Sequence, residues 1–224
     1  MSAAFSAATW AFLDDLASDN TKATFDARRD TYREAVTEPS VAYVERMAEL
    51  LPGSVHPGLR GEAKVGRSLF RINRDIRFSA DKTPYKTHLD FLFWVGDGPP
   101  REQPACIVRL TSSTVLLGAG QMGLRGAALA RYRERVGDLE EGDRLRRAVS
   151  ALQRDGAELS DPDRTRVPKP YPPDHPSAEL LRHDGFHLSR TSPHPPEIDG
   201  DGFAPWCAAR LAGFAPLLEW LADG

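Results

Sequence analysis

The stretch from Phe70 to Trp94, FRINRDIRFSADKTPYKTHLDFLFW, constrains this chain more than any other. Its second half, from His88 on to Val95, is aromatic and aliphatic, the composition of a buried strand, and Gly96-Asp97-Gly98-Pro99-Pro100 ends it. Its first half crowds Arg71, Arg74, Arg77, Lys82 and Lys86 around two acids, Asp75 and Asp81. A segment that must be inside is thus joined to one that must reach water, a carboxylate or a ligand. From Lys64 to His88, seven Lys or Arg face two acids, a local balance of +5 in a chain whose net charge is -3. The remainder sums to -8, so a small anion is drawn to one region while a polyanion is repelled by the rest. That balance argues against nucleic acid as a partner.

Around this stretch the pattern predicts an α+β protein, a mostly antiparallel sheet packed by N-terminal, middle and C-terminal helices, in a single domain over residues 1–224. Phe5, Phe12, Leu13 and Leu16 share a helical face over about Ala7 to Ser18, with Ser6 as cap. A second helix carries Phe25, Tyr32, Val36, Tyr43, Val44, Met47 and Leu51, kinked or broken at Pro39 and stopped by Pro52-Gly53. Residues 53–68 read as loop and Leu69 to Ile72 as a short strand, and a helical turn through Asn73 to Phe78 would align Arg71, Arg74 and Arg77. Ala105 to Leu110 and Thr114 to Leu117 form a hairpin around Thr111-Ser112-Ser113. Helices follow over about Gly123 to Val136 and Asp143 to Arg154, then a proline-rich irregular segment from Asp161 to Pro176, a short helix from Ser177 to His183 and a strand from Phe186 to Arg190. The closing helix carries Phe203, Trp206, Cys207, Leu211, Phe214, Leu217, Leu218 and Leu221, bent by Pro216.

Two cysteines, Cys106 and Cys207, sit among apolar neighbours, which argues against a disulfide scaffold and for a reducing, cytoplasmic compartment. The opening MSAAFSAATWAF lacks the basic start and apolar core of a leader, and no stretch is apolar for long enough to span a bilayer.

Several motifs imitate known chemistry. Gly118-Ala119-Gly120-Gln121-Met122-Gly123 spells G-x-G-x-x-G between an expected strand and an expected helix, but the segment after that helix offers no second parallel strand, so a tight glycine connection is the better reading. Ser79-Ala80-Asp81-Lys82 spells S-x-x-K, yet Pro84 opposes the helix that the motif needs, and a capped turn fits better. His183 and His187 stand four apart but straddle Gly185 and an expected strand, so they do not form a metal pair. His88 and Asp90 share one face of the central strand and can hydrogen-bond. No metal site and no cofactor are expected.

The central stretch itself supports two readings. Guanidinium forks and ammonium groups suit phosphate or carboxylate oxygens, and Tyr85 or His88 can move a proton. On the first reading Arg71, Arg74, Arg77, Lys82 and Lys86 bind a small anion, Asp75 and Asp81 orient them, and His88 or Tyr85 is catalytic in a hydrolase or transferase. On the second, the same residues form a salt-bridge network that pins a long turn, with Phe70, Ile72, Ile76, Phe78 and Tyr85 as anchors of a non-catalytic interaction module.

The run FRINRDIRFSADKTPYKTH resembles the signature of a family catalogued as domain of unknown function 2461, found in bacteria and fungi. The resemblance extends to FLDDLASDNTKATFDARRDTYREAV, to the glycines at 118–120 and to PYPPDHPSAELL, and so spans nearly the whole chain. It implies a cytoplasmic single α+β domain and no established activity. It places the family pattern on Arg71, Arg74, Asp75, Arg77, Ser79, Asp81, Lys82, Thr83, Tyr85, Lys86 and His88, with Asp174 and His175 as a second cluster. Thr24 replaces a tryptophan and Ala119 interrupts a glycine triplet, departures that touch only the surroundings of the pattern.

Overall fold

The computed structural model describes residues 4–224; the first three residues of the opening stretch read for a leader lie outside it. Helix α1 (Ala7–Ser18) begins as its sequence predicts: the Ser6 N–H donates to Thr9 Oγ1 at 3.1 Å, and Phe5 packs against Trp10 with ring centroids 5.8 Å apart. An apolar residue outside the cap packed on the first turn fixes the angle at which the chain enters the helix.

The second helical region is divided into α2 (Lys22–Ala27), α3 (Arg29–Tyr32), a wide turn over Arg33–Thr37 and α4 (Glu38–Ser54). Pro39 accounts for the break before α4. Proline offers no N–H, so the Ala35 carbonyl loses its ordinary donor, and the buried Thr9 hydroxyl donates to it instead at 2.6 Å. Pro52 does not stop the chain as expected; α4 runs through it to Ser54, whose hydroxyl donates to the Leu50 carbonyl at 2.9 Å.

The sheet is antiparallel throughout, in the order β1-β2-β3-β4-β6-β5. Its strands are β1 (Leu59–Arg60), β2 (Leu89–Val95), β3 (Ala105–Leu110), β4 (Thr114–Gln121), β5 (Glu158–Leu159) and β6 (Phe186–Pro193). Leu69 to Ile72 forms no strand of its own; Leu69 makes a single bridge to Phe91. Alternation along the strands separates two faces. Leu89, Phe91 and Phe93 pair with Leu110, Val108 and Cys106, and these with Val115, Leu117 and Ala119, to build the main core under the helices. Asp90, Leu92 and Trp94 point the other way, opposite Arg109, Ile107 and Ala105. There a small apolar cluster is closed by Phe70.

Helices α5 (Gly126–Gly137), α6 (Leu139–Arg154), α7 (Ala178–Leu181), α8 (Phe203–Leu211) and α9 (Ala215–Ala222) complete the helical layer. α6 starts four residues earlier than its apolar pattern suggests, because the Asp138 carboxylate accepts the N–H groups of Glu140 and Glu141 at 2.9 Å each. The bend expected at Pro216 is an interruption, a 3-10 turn over Ala212–Phe214 separating α8 from α9. Among the described residues no helix is long and apolar enough to cross a membrane.

Candidate functional site

The charged half of the central stretch is a strap, with no helical turn through Asn73 to Phe78. The Arg74 N–H donates to the Pro84 carbonyl and the Lys86 N–H to the Ile72 carbonyl, both at 2.8 Å, so 72–74 and 84–86 run antiparallel and 75–83 forms the tip. Two carboxylates bind nearby amides and compete with a helix. Asp81 accepts the Thr83 N–H at 2.9 Å, and Asp75 accepts the Arg77 N–H at 3.3 Å. Arg71, Arg74 and Arg77 consequently share no face.

Tyr85 fixes the strap to the body. Its ring stacks on Phe25 with centroids 4.3 Å apart and planes at 17°, an arrangement that adds about 0.5–1.5 kcal/mol to the burial. The Asn20 amide grips its backbone on both sides, donating to the Tyr85 carbonyl and accepting the Tyr85 N–H at 3.0 Å each. Asn20 thus serves as a one-residue strand partner.

At the foot of the strap lies Asp90, its side chain only 8% exposed. Lys86 Nζ is 3.1 Å and His88 Nε2 3.3 Å from Oδ2, and Arg109 Nε donates to Oδ1 at 2.7 Å. Burial pushes the Asp90 carboxyl up, but hydrogen bonds and charge from His88 and Arg109 outweigh it and hold the group far below the usual carboxylate range. With His88 Nε2–H directed at Asp90, the ring's Nδ1 has no partner among the described residues. When it gives up its second proton, an imidazole so placed presents a lone pair at Nδ1, the arrangement of a general base.

Two cavities meet at these side chains. A narrow cleft of about 50 Å³ is bordered by Arg71, Lys86, His88 and Asp90 together with Tyr32, Thr37 and Ser40. On the other side opens a broad hollow of about 660 Å³ lined by Asn20, Arg74, Asp75, Asp81, Thr83, Tyr85, Lys86 and His88. Lys86 and His88 border both.

The expected site residues therefore divide. Arg74, Lys86, Tyr85, His88, Asp75 and Asp81 come together at the hollow, and Arg71 reaches the cleft. Arg77 and Lys82 line neither: Arg77 forks onto Asp75 at 2.9 and 2.7 Å, and Lys82 Nζ donates to the Ile76 carbonyl at 2.9 Å. Arg74 is held by Asp81 and Thr83. The two tip carboxyls are drawn down to about 2, Asp75 by the Arg77 guanidinium and N–H, and Asp81 by the Thr83 N–H and the Arg74 guanidinium. Phe78, expected as an anchor, stands 95% exposed at the tip.

Arg109 and Asn20 were missed, since each meets the stretch only through tertiary structure. The signal for Arg109 is a lone cation between Val108 and Leu110 in an otherwise apolar strand, directly across from Asp90. Ionic groups inside such a strand need partners on the next one.

The other motifs resolve structurally. Gly118 and Gly120 lie inside β4, which extends beyond its expected end to Gln121, and α5 begins only at Gly126. A Cβ at Gly118 would fall 2.5 Å from the Leu188 carbonyl oxygen, and one at Gly120 would strike the Phe186 carbonyl. The glycines are required where β6 passes close to β4. His183 is fully buried with neither ring nitrogen bonded among the described residues, and burial lowers its pKa, as it does for His187. His175 accepts the Ser177 N–H and contacts the Gly137 carbonyl at 3.2 Å, pinning the proline-rich segment to the end of α5, away from the hollow. Cys106 and Cys207 are free and buried; burial pushes both thiols up, that of Cys207 to about 12.

No curated protein and no solved structure matches the chain. A family model described as "Conserved hypothetical protein (DUF2461)" matches residues 8–220, which takes in both helical ends, the whole sheet and the strap. The chain belongs to that family.

Proposed function

We propose that the protein binds a small phosphate- or carboxylate-bearing molecule in the hollow over Asp90 and acts on it by hydrolysis or group transfer, His88 carrying the proton. One observation carries this reading: a single buried carboxylate gathers Lys86, His88 and Arg109. Six cations, Arg71, Arg74, Arg77, Lys82, Lys86 and Arg109, stand on and around the strap against three carboxylates, Asp75, Asp81 and Asp90, a regional surplus of three, and of the six Arg71, Arg74 and Lys86 line the two cavities. Positive charge against low-dielectric walls concentrates small anions. Tyr85, committed to its stack on Phe25, shapes the wall of the hollow, and His88 is the stronger candidate for acid–base work. The two buried free thiols are consistent with a reducing, cytoplasmic setting.

A second reading, a non-catalytic module with a structural network, is favoured by the pairings Arg74–Asp81 and Arg77–Asp75 at the tip. Thermal unfolding with inorganic phosphate and with succinate separates the two. Binding predicts a rise in Tm that disappears in Lys86→Ala and persists in Arg77→Ala. A structural network predicts no rise with any anion and a lower Tm in Lys86→Ala itself.

A further inference from the structure

We infer that a second hollow, bounded by the β2–β3 connection, the β4–α5 connection and the end of α9, binds a phosphorylated organic molecule. Its volume is about 650 Å³, within the range of small-molecule sites. Sixteen of the 24 arginines have a carboxylate within salt-bridge distance. Three of the eight without one, Arg101, Arg125 and Arg131, line this single hollow, where Glu102 is the only acidic side chain among the described lining residues. Surface arginines in this protein are ordinarily neutralised by a neighbour, so three unneutralised ones facing a common space form a local excess that a ligand can satisfy.

The three guanidiniums come from two elements, the 3-10 turn after β2 and the start of α5. Arg101 sits on the 3-10 turn Pro100–Glu102, which Gln121 Nε2 ties down through the Glu102 carbonyl at 2.8 Å, and its guanidinium lies 4.7 Å over the Phe70 ring. Arg125, the residue before α5, and Arg131 within it stand three residues to either side of Ala128, and all three line the hollow, so both guanidiniums address the same space. Extended backbone at Arg125 (φ -144°, ψ 160°) opens α5 without a side-chain cap, leaving first-turn N–H groups without a side-chain acceptor. Val95, Leu124 and Leu221 supply apolar wall, and half-exposed Met122 stands at the rim. Guanidinium forks fit phosphate oxygens in pairs, and the apolar wall fits the organic part that carries the phosphate. This site is separate from the hollow over Asp90 and shares none of its residues.

Isothermal titration of the full chain with phenyl phosphate and with inorganic phosphate tests the assignment. Phenyl phosphate is expected to bind more tightly than inorganic phosphate. The Arg125→Ala/Arg131→Ala double variant is expected to lose affinity for phenyl phosphate by about tenfold or more at unchanged Tm, since neither side chain has a hydrogen-bond or ion-pair partner among the described residues. Lys86→Ala, which disables the hollow over Asp90, is expected to leave this binding in place. The inference is overturned if phenyl phosphate gives no heat at millimolar concentration, if the double variant binds as the parent does, or if Lys86→Ala abolishes the binding. It also fails if only vesicles bearing phosphatidic acid retain the protein, which would make the ligand a lipid surface.

Discussion

The two faces of the sheet are made by the same strands and obey different physics. Under the helices, Leu89, Phe91, Phe93, Cys106, Val108 and Leu117 are apolar without exception, and shape complementarity sets their energy. On the opposite face, one residue further along each strand, Asp90 meets Arg109 and the strap brings Lys86 and His88 to the same point. The first arrangement is dense and nonspecific in chemistry; the second is specific in chemistry and open to solvent on one side. Alternation along β2 and β3 is what lets one short segment serve both.

The contrast can be broken most strongly from the apolar side. Phe93→Ala is expected to cost about 3–5 kcal/mol, as removal of a fully buried ring does, with a matching fall in the urea midpoint and no selective effect on anion binding. Asp90→Asn is expected to cost less, about 2–3 kcal/mol, because Arg109 is half-exposed and keeps some of its hydration. It should also abolish the anion-induced rise in Tm, which Phe93→Ala leaves intact. The two variants together separate packing from site chemistry.

Acidity gives a finer test. Asp90 has a folded pKa below its unfolded value, so its contribution is present above about pH 4 and is lost as pH falls toward the folded value. His183 and His187 are also lowered, by burial, so the unfolded chain takes up protons first and stability declines as pH drops below about 6.5. Chemical denaturation as a function of pH should therefore show a decline starting near neutrality and steepening near pH 4. His183→Leu should flatten the upper part and Asp90→Asn the lower. The smallest effect belongs to the tip: Arg77→Ala should leave the urea midpoint unchanged, its partner Asp75 being exposed. A fall would mean that the tip is braced against something beyond Asp75.

Much of the architecture was legible because its signals are local. Ser6 with Phe5 marks the start of α1, and runs that are apolar except for Asp90 and Arg109 mark β2 and β3. What escaped depends on distant chain. Period-three arginines suggest a helical face, but the Pro84 carbonyl and the Lys86 N–H supply backbone partners from across the strap and hold 72–74 extended. β1 and β5 are two-residue strands defined only by their neighbours. The pair His88–Asp90 was visible as an alternation, whereas Arg109 entered through pairing of β2 with β3. For the glycines in β4, the reason lies some seventy residues later, in the backbone of β6.

That β6 sits between β4 and β5 has a consequence for biosynthesis. While the chain is being made, β4 waits with one row of amides and carbonyls unsatisfied until the segment ending at Pro193 has emerged, some seventy residues after β4 itself. Products ending before Phe186 would keep that row, with its bare glycines, available to any passing strand, and are expected to aggregate where the full chain stays dispersed.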